Sequence, residues 1–217
     1  MPDIIANVND GTVSINSQAN HANARDADSG TATAVSSTIQ ANAASYGRSN
    51  TRGGGFAYSV RRSFFYFDTS TISSNVTSAT LRFRGQGSNS NADIIVMKSD
   101  AFGGDGGTAL ADTDFNAIVG QTDGESMAVS SGCVEYSGEV ATWNTSDINS
   151  ITLTAAALSD MESDDFFIIA LIEFDHDYKN VDFDPVVATV SVGLNLANIS
   201  TTDKKPTLRY NLGYGND

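Results

Sequence analysis

Hydrophobic and polar residues alternate with a period of two along much of the chain, which is the spacing of half-buried β-strands. The order Ala-Thr-Leu-Arg-Phe-Arg at residues 79–84 places three apolar side chains on one face and a threonine and two arginines on the other. Residues 190–196 and 208–212 alternate in the same way. Each segment is therefore predicted to be a strand with one face in the core and one in water.

Two further runs are apolar on both faces. Residues 64–67 and 166–172 are short and rich in aromatic or β-branched side chains, which favours central strands over helices. Residues 93–98 form another candidate strand, and weaker alternation marks residues 12–15 and 33–39. Together these segments predict an antiparallel sandwich.

Helical segments are few and short in this sequence. Residues 112–119 and 154–161 each predict one or two helical turns in a connection, since neither is long enough to be stable alone. Residues 16–50 contain few large apolar side chains and are predicted to form edge strands or an arm. The length of 217 residues favours one all-β domain over residues 1–217.

Charge and composition exclude several classes of protein. The net charge of −14 argues against nucleic-acid binding, which depends on Lys and Arg displacing counterions. The longest apolar run, residues 166–172, is far shorter than the roughly 20 residues that span a bilayer, so no membrane insertion is expected. Cys133 is the sole cysteine and has no partner for an intramolecular disulfide. The first residues lack the features of a secretory signal, so synthesis and folding in a cytoplasm are expected.

The charges are unevenly distributed along the chain. Residues 1–90 carry a net charge of +2, and residues 91–217 carry −16. A window without acidic residues, between Asp28 and Asp68, contains Arg48, Arg52, Arg61 and Arg62. One interpretation makes these four arginines a surface that docks on a partner. In the other, they pair with aspartates of the same chain.

Three passages together resemble the DNRLRE-type (disaggregatase-related) jelly-roll domains. They are residues 62–72 with 76–83, which look like paired core strands, the segment Lys-Pro-Thr-Leu-Arg-Tyr at 205–210, and residues 113–120, 149–158 and 173–180 in the middle. The middle segments are similar to a subgroup found in phage and marine viral reading frames. The resemblance spans roughly residues 60–212 and implies a jelly roll of eight to ten strands, in a family that includes carbohydrate-binding modules and virion proteins.

The sequence offers little support for catalysis. It contains two histidines, at 21 and 176, and none of the common nucleophile, metalloprotease or phosphate-binding motifs. Cys133 has no neighbouring basic residue to lower its pKa. We therefore expect a protein that is not an enzyme.

An Asp-rich segment at residues 175–184 is the densest group of acids. Its alternating carboxylates Asp175, Asp177, Asp182 and Asp184 make a candidate calcium site, because Ca²⁺ prefers several oxygen ligands. The spacing is not that of an EF-hand. The alternative is a solvated turn after the apolar strand, in which the aspartates cap backbone groups. No other cofactor is expected.

Sugar binding usually requires an exposed aromatic platform. Trp143 is the sole indole, and Tyr46 and Tyr178, with Tyr58, are the other candidates. The alternative for Trp143 is a side chain that fills the sandwich core.

These observations favour a non-enzymatic structural protein of a virus or phage particle. The expected protein is a jelly roll on the exterior of a capsid or tail, made in the host cytoplasm, that docks on other virion proteins through its Arg-bearing N-terminal half. Homo-oligomers are expected on a particle. The alternative function is a carbohydrate-binding module or adhesin that recognises cell-surface glycans.

Overall fold

The computed structural model describes residues 1–34, 38–72, 75–87 and 92–213. Within these ranges the chain forms eleven β-strands, one more than the resemblance implies. They are β1 (Asp3–Ile5), β2 (Gly11–Gln18), β3 (Thr31–Ala34), β4 (Ile39–Asn50), β5 (Phe56–Asp68), β6 (Val76–Arg84), β7 (Ile94–Lys98), β8 (Ile148–Thr152), β9 (Phe166–Glu173), β10 (Ala188–Asn195) and β11 (Thr207–Leu212).

The strands form two antiparallel sheets. The small sheet has the order β1-β11-β6-β8, and the large sheet has the order β10-β4-β5-β2-β3, with β9 beside β5 and β7 beside β9. The sheets pack face to face, so the predicted all-β, jelly-roll-like sandwich is confirmed.

Strand β5 is the centre of the large sheet. Residues 56–61 pair with β4, and residues 63–68 pair with β9 along the same edge. The opposite edge of β5 pairs with β2. The apolar runs at 64–67 and 166–172 are therefore central strands, as predicted, because both faces of each strand are covered.

The main core lies between the sheets. Leu81 and Phe83 point inward from the small sheet and pack with residues such as Phe65 and Leu171 of the large sheet. The intervening Arg82 and Arg84 are partly exposed. The strand predicted at residues 79–84 is therefore present, and its predicted apolar face is the face that enters the core.

A second core lies on the other face of the large sheet. Phe64 and Tyr66 of β5 and Ile168 of β9 pack here against Phe102 and Phe115 of the irregular chain that follows β7. The large sheet is therefore covered on both faces over much of its area, and the molecule has a third, mostly irregular layer.

The helices are short connections, as expected. They comprise α1 (His21–Arg25), α2 (Ala155–Ser163), three 3₁₀ turns at Phe102–Gly104, Asp112–Asn116 and Thr202–Lys204, and a π-helical turn at Phe174–Tyr178. Helix α2 begins at residue 155 because the Thr154 hydroxyl accepts a hydrogen bond from the Ala157 amide and caps the helix. Across the described ranges, none of the helices has the length and apolarity needed to cross a membrane.

The prediction that residues 16–50 are edge strands or an arm holds only for part of that segment. Strand β3 lies at the end of the large sheet, but β4 lies between β10 and β5. Strand β4 occupies an interior position although its side chains are small, because Ala43, Ala44 and Tyr46 fit within the packed layers. Residues 35–37 of the predicted strand at 33–39 lie outside the described residues.

Candidate functional site

One end of the large sheet, made of residues 48–58 and 179–188, is here called the hairpin end. The turn between β4 and β5 is closed by hydrogen bonds from the Thr51 amide to the Gly55 carbonyl (2.9 Å) and from the Gly55 amide to the Thr51 hydroxyl (3.1 Å). Gly54 has a φ of +84°, a conformation that glycine adopts without the Cβ strain of other residues. Arg52 lies exposed in this turn.

Arg48 joins the hairpin to the segment before β10. Its guanidinium pairs with Asp184 (N–O distance 2.8 Å), donates to the Val186 carbonyl (3.3 Å) and lies 3.7 Å from the centre of the Phe56 ring. Arg48 is buried. The charge of Arg48, a predicted partner-binding residue, is therefore used inside the molecule.

Three large apolar side chains remain exposed around this clamp and are here called the end patch. Phe56 is 41% exposed and Val186 is 56% exposed. Val187 directly precedes the β10 residue that pairs with Arg48, so it lies beside the same clamp. The patch consists of Phe56, Val186 and Val187. An exposed apolar cluster bordered by charge is the usual mark of an interaction surface.

A cluster of aromatic and histidine side chains lies beneath the hairpin end. Tyr46 is fully buried, and its ring lies 5.0 Å from that of His176 and 5.2 Å from that of Phe183. The Tyr46 hydroxyl is hydrogen-bonded to Nδ1 of His21. The ring of Tyr46, a predicted glycan-binding residue, is thus enclosed by these neighbours.

The hydrogen bonds of this cluster hold the ring of His21 in place. The Asn180 amide nitrogen donates to the Gly124 carbonyl (2.9 Å), which leaves its oxygen to accept from Nε2 of His21 (2.7 Å). Nδ1 of His21 is hydrogen-bonded to the Tyr46 hydroxyl, so both ring nitrogens of His21 have a partner inside the molecule. Burial also lowers the pKa of His176, which favours its neutral form.

Arg62 is fully buried, and all five of its N–H groups are used. It forms two bonds with the Asp177 carboxylate (2.6 and 2.8 Å) and donates to the Phe115 carbonyl, the Gln121 side chain and the Arg25 carbonyl. Arg62, a predicted partner-binding residue, therefore uses all of its donors inside the molecule. For Arg62, as for Arg48, the alternative interpretation of pairing with the chain's own aspartates is correct.

Arg25 is a second buried arginine in this network. Its Nε donates to the Asp177 carbonyl (2.7 Å), Nη2 donates to the Glu125 carbonyl (2.7 Å), and Nη1 pairs with Asp26. Nothing in the sequence around Arg25 distinguishes it from an exposed arginine, because its burial depends on residues about 100 and 152 positions later.

The remaining two predicted docking residues are accessible. Arg52 is exposed in the hairpin turn, and Arg61 is partly exposed on β5. Arg61 lies in one row across the sheet with Ser45 of β4 and Ser14 of β2. Of the four predicted arginines, only these two have side chains that a partner can reach.

The four candidate calcium ligands do not face a common point. Asp177 binds Arg62, and Asp184 binds Arg48. Asp175 pairs with Lys179 (2.8 Å), and Asp182 accepts from the Tyr58 hydroxyl (3.0 Å). The described part of the chain contains no group of three or more acidic, histidine or cysteine side chains placed to hold a metal ion. The geometry corresponds to the alternative of a turn that the aspartates stabilise.

The other candidate platform residues are engaged in packing. Trp143 is partly buried against Phe83 and donates its indole N–H to the Gly193 carbonyl (3.0 Å). Tyr178 is buried, stacks on Phe174 at 5.1 Å and donates its hydroxyl to Glu135. Tyr178, a predicted glycan-platform residue, is thus engaged inside the fold, and the position of Trp143 matches the alternative of a core-filling side chain.

Cys133 is half-buried among the residues of the second core. Burial raises the pKa of its thiol, which disfavours the reactive thiolate.

Comparison with known proteins yields neither a matching family model nor a matching curated protein.

Proposed function

We propose that this chain is a non-enzymatic structural protein of a virus or phage particle that docks on other virion proteins through its hairpin end. The observation that carries the proposal is the end patch, an exposed apolar surface next to Arg52 in a strongly acidic molecule. Aromatic and aliphatic side chains beside an arginine are the groups that contribute most to protein–protein binding.

The Arg48 clamp supports this proposal because it holds the patch in place. Arg48 is bonded to both Asp184 and the Val186 carbonyl while it lies over Phe56. The apolar side chains are therefore arranged before a partner arrives. A surface ordered in advance loses less conformational entropy on binding.

The charge distribution is compatible with presentation on a particle. The net charge of −14 keeps the exposed remainder of the molecule hydrated, while the end patch is locally apolar. Many copies on one particle would strengthen weak individual contacts by avidity. The capsid-decorating and tail-associated locations are both compatible with this surface, and both place the protein on the virion exterior.

Co-sedimentation with particles tests the proposal. We expect purified protein to sediment with particles assembled from the viral genome that encodes the chain. The double variant Val186→Asp/Val187→Asp should reduce the bound fraction at least about tenfold, because it introduces charge into the apolar contact. Val129→Asp is the matched control, since Val129 is 74% exposed but lies outside the patch.

The thermal midpoint of each variant is measured in parallel to show that the fold is retained. If the parent protein stays in the supernatant beside intact particles, or if both variants bind as the parent does, the docking proposal is wrong.

A further inference from the structure

The outer face of the small sheet is unusually basic for this molecule. Five of the twelve basic residues lie on this face or in the loop that leads into β11, although the whole chain carries −14. Three acidic residues accompany them. The basic residues are Arg82, Arg84, Lys204, Lys205 and Arg209, and the acidic residues are Asp3, Asp147 and Asp203.

A cavity of about 400 Å³ opens on this face between β1, β6, β11 and the 3₁₀ turn at Thr202–Lys204. The strand register places Ile5, Thr207 and Arg82 side by side in one row, with Asp3 and Arg209 in the row beside it. The cavity is thus lined by Asp3, Ile5, Arg82, Asp203, Thr207 and Arg209.

Arg82 differs from the other arginines of this face in its bonding. Arg209 binds both oxygens of Asp3 (2.6 and 2.7 Å), and Arg84 pairs with Asp147 (3.3 Å). The side chain of Arg82 makes no hydrogen bond or ion pair with any described residue. Its five donors are therefore available to a ligand.

The cavity also offers acceptors. Asp203 is exposed at the rim and, within the described ranges, receives no hydrogen bond through its side chain. The bonds from Arg209 lower the pKa of Asp3, which keeps this second carboxylate ionised. Ile5 adds a small apolar surface that is 41% exposed.

We propose that this cavity binds an acidic sugar residue, whose carboxylate is held by Arg82. A carboxylate matches the planar fork of a guanidinium and can accept two parallel hydrogen bonds from it. The hydroxyls of the same sugar donate to Asp203 and Asp3 and accept from Arg209, and its C–H face packs on Ile5.

The mixture of charges favours this ligand class over two others. A phosphate dianion would approach Asp3 and Asp203 with two negative charges and no donors, so both carboxylates would repel it. A neutral sugar would supply donors but could not form an ion pair with Arg82. A ligand with one negative charge and several hydroxyl groups can pair with Arg82 and also donate hydrogen bonds to Asp3 and Asp203.

This site is separate from the end patch. The cavity is built from β1, β6 and β11 of the small sheet, and the end patch is built from β5 and the segment before β10 of the large sheet. Sugar binding at the cavity and docking on a particle are therefore independent properties, and either can fail without the other.

Calorimetric titration with defined oligosaccharides tests the inference. The ligands are oligomers of galacturonate and of glucuronate, the neutral oligomers of galactose and of glucose with the same linkages, and a peptide of alternating Glu and Gly. We expect at least one uronate oligomer to bind with a dissociation constant of about 1 mM or tighter. We expect its neutral counterpart and the peptide to bind at least about tenfold more weakly.

Variants of the face identify the binding group. Arg82→Ala should weaken uronate binding about 10- to 100-fold, because a hydrogen-bonded charge pair is lost. Arg82→Lys should restore only part of the affinity, since it keeps the charge but loses the fork. Arg84→Ala is the matched control, because Arg84 lies on the same face of the same strand and pairs with Asp147.

Three results would overturn the inference. They are no binding of either uronate oligomer, equal affinity for uronate in the parent and in Arg82→Ala, and tighter binding of the acidic peptide than of the uronates. Melting curves of the variants accompany the titrations, so that a lost fold is not mistaken for a lost site.

Discussion

The guanidinium of Arg62 connects three separate parts of the chain. It binds the Asp177 side chain in the π-helical turn, the Phe115 carbonyl in a 3₁₀ turn and the Arg25 carbonyl at the end of α1. Each of these segments belongs to the irregular layer over the large sheet. A buried charge that satisfies several backbone carbonyls at once holds chain that has little regular hydrogen bonding of its own.

Removing the charge of Asp177 should therefore destabilise the protein strongly. Asp177→Asn leaves the buried Arg62 without its counter-charge, and we expect the free energy of unfolding to fall by about 3 to 5 kcal/mol. Urea denaturation followed by circular dichroism measures this change.

The matched control is Asp175→Asn, two residues earlier in the same turn. Asp175 forms an exposed pair with Lys179, and such pairs contribute about 1 kcal/mol or less. A similar small loss in both variants would contradict a structural role for the Arg62–Asp177 pair. If Asp177→Asn does not fold, the double variant Arg62→Met/Asp177→Leu should recover folding, because it removes both buried charges.

At the scale of single elements, the sequence predicts strands well where one face is apolar and one is polar. Strand β6 is the clearest case, because its alternation sets both the strand and the side that enters the core. Strand β4 is the contrasting case. Its small side chains give little periodic signal. Its interior position is set by pairing with β5, which follows it after a turn, and with β10, which lies far away in the sequence.

A glycine in β10 sets how closely the two sheets approach at one corner. The Gln86 amide donates to the Gly193 carbonyl (2.9 Å), which links the end of β6 to β10. A Cβ atom on Gly193 would lie 2.3 Å from the Gln86 carbonyl oxygen and 2.7 Å from that of Ala41. Only glycine fits this contact without a backbone shift.

Gly193→Ala should therefore lower the free energy of unfolding by about 1 to 3 kcal/mol, the usual effect of overfilling a packed region. Differential scanning calorimetry measures the change. Gly138→Ala is the control, since a Cβ atom there meets nothing within 4 Å. An equal effect in the two variants would show that the contact with Gln86 does not limit the packing.

At the scale of the whole molecule, two buried carboxyl groups and one histidine contribute to how stability depends on pH. Asp10 is fully buried, and burial raises the pKa of its carboxyl from 3.8 to about 7. Burial likewise raises the pKa of Glu173 to about 7. Both groups bind protons more tightly in the folded state, so the stability they contribute is present below about pH 4 and is lost as the pH rises through 7. His176 has the opposite sign, because its lowered pKa contributes stability that is lost as the pH falls below 6.5.

Asp10→Asn isolates the effect of one buried carboxyl on the pH dependence of stability. The amide oxygen can still accept the hydrogen bond from the Ala197 amide, which measures 2.8 Å in the parent. We expect the variant to be more stable than the parent at pH 8 by about 2 to 4 kcal/mol and to depend less on pH between 5 and 8. Urea denaturation at several pH values measures both quantities.

Asp28→Asn provides the comparison for this experiment, because Asp28 is exposed and its removal changes the net charge by the same amount. If both variants show the same pH profile, net charge rather than the buried carboxyl controls the profile.

The candidate sites were harder to predict than the fold because their residues are distant in sequence. The acid-free window drew attention to Arg48 and Arg62, but Asp184 and Asp177 neutralise them from positions more than 110 residues away. No local pattern in the sequence showed that Phe56 would stay exposed beside Val186. Arg82 was predicted to face water, and its free donors became visible only when β1 and β11 were placed beside it.

The pairing of β1 with β11 has a consequence for how the chain is made. Asp3 lies opposite Arg209, so a strand near the beginning of the sequence finds its neighbour about 200 residues later. While the ribosome is still synthesising the chain, β6 can pair with β8, but β1 has to wait until residues 207–212 have left the exit tunnel. The cavity that contains Arg82 is therefore completed only after β11 has been translated, and a nascent chain stalled earlier would expose one edge of β6.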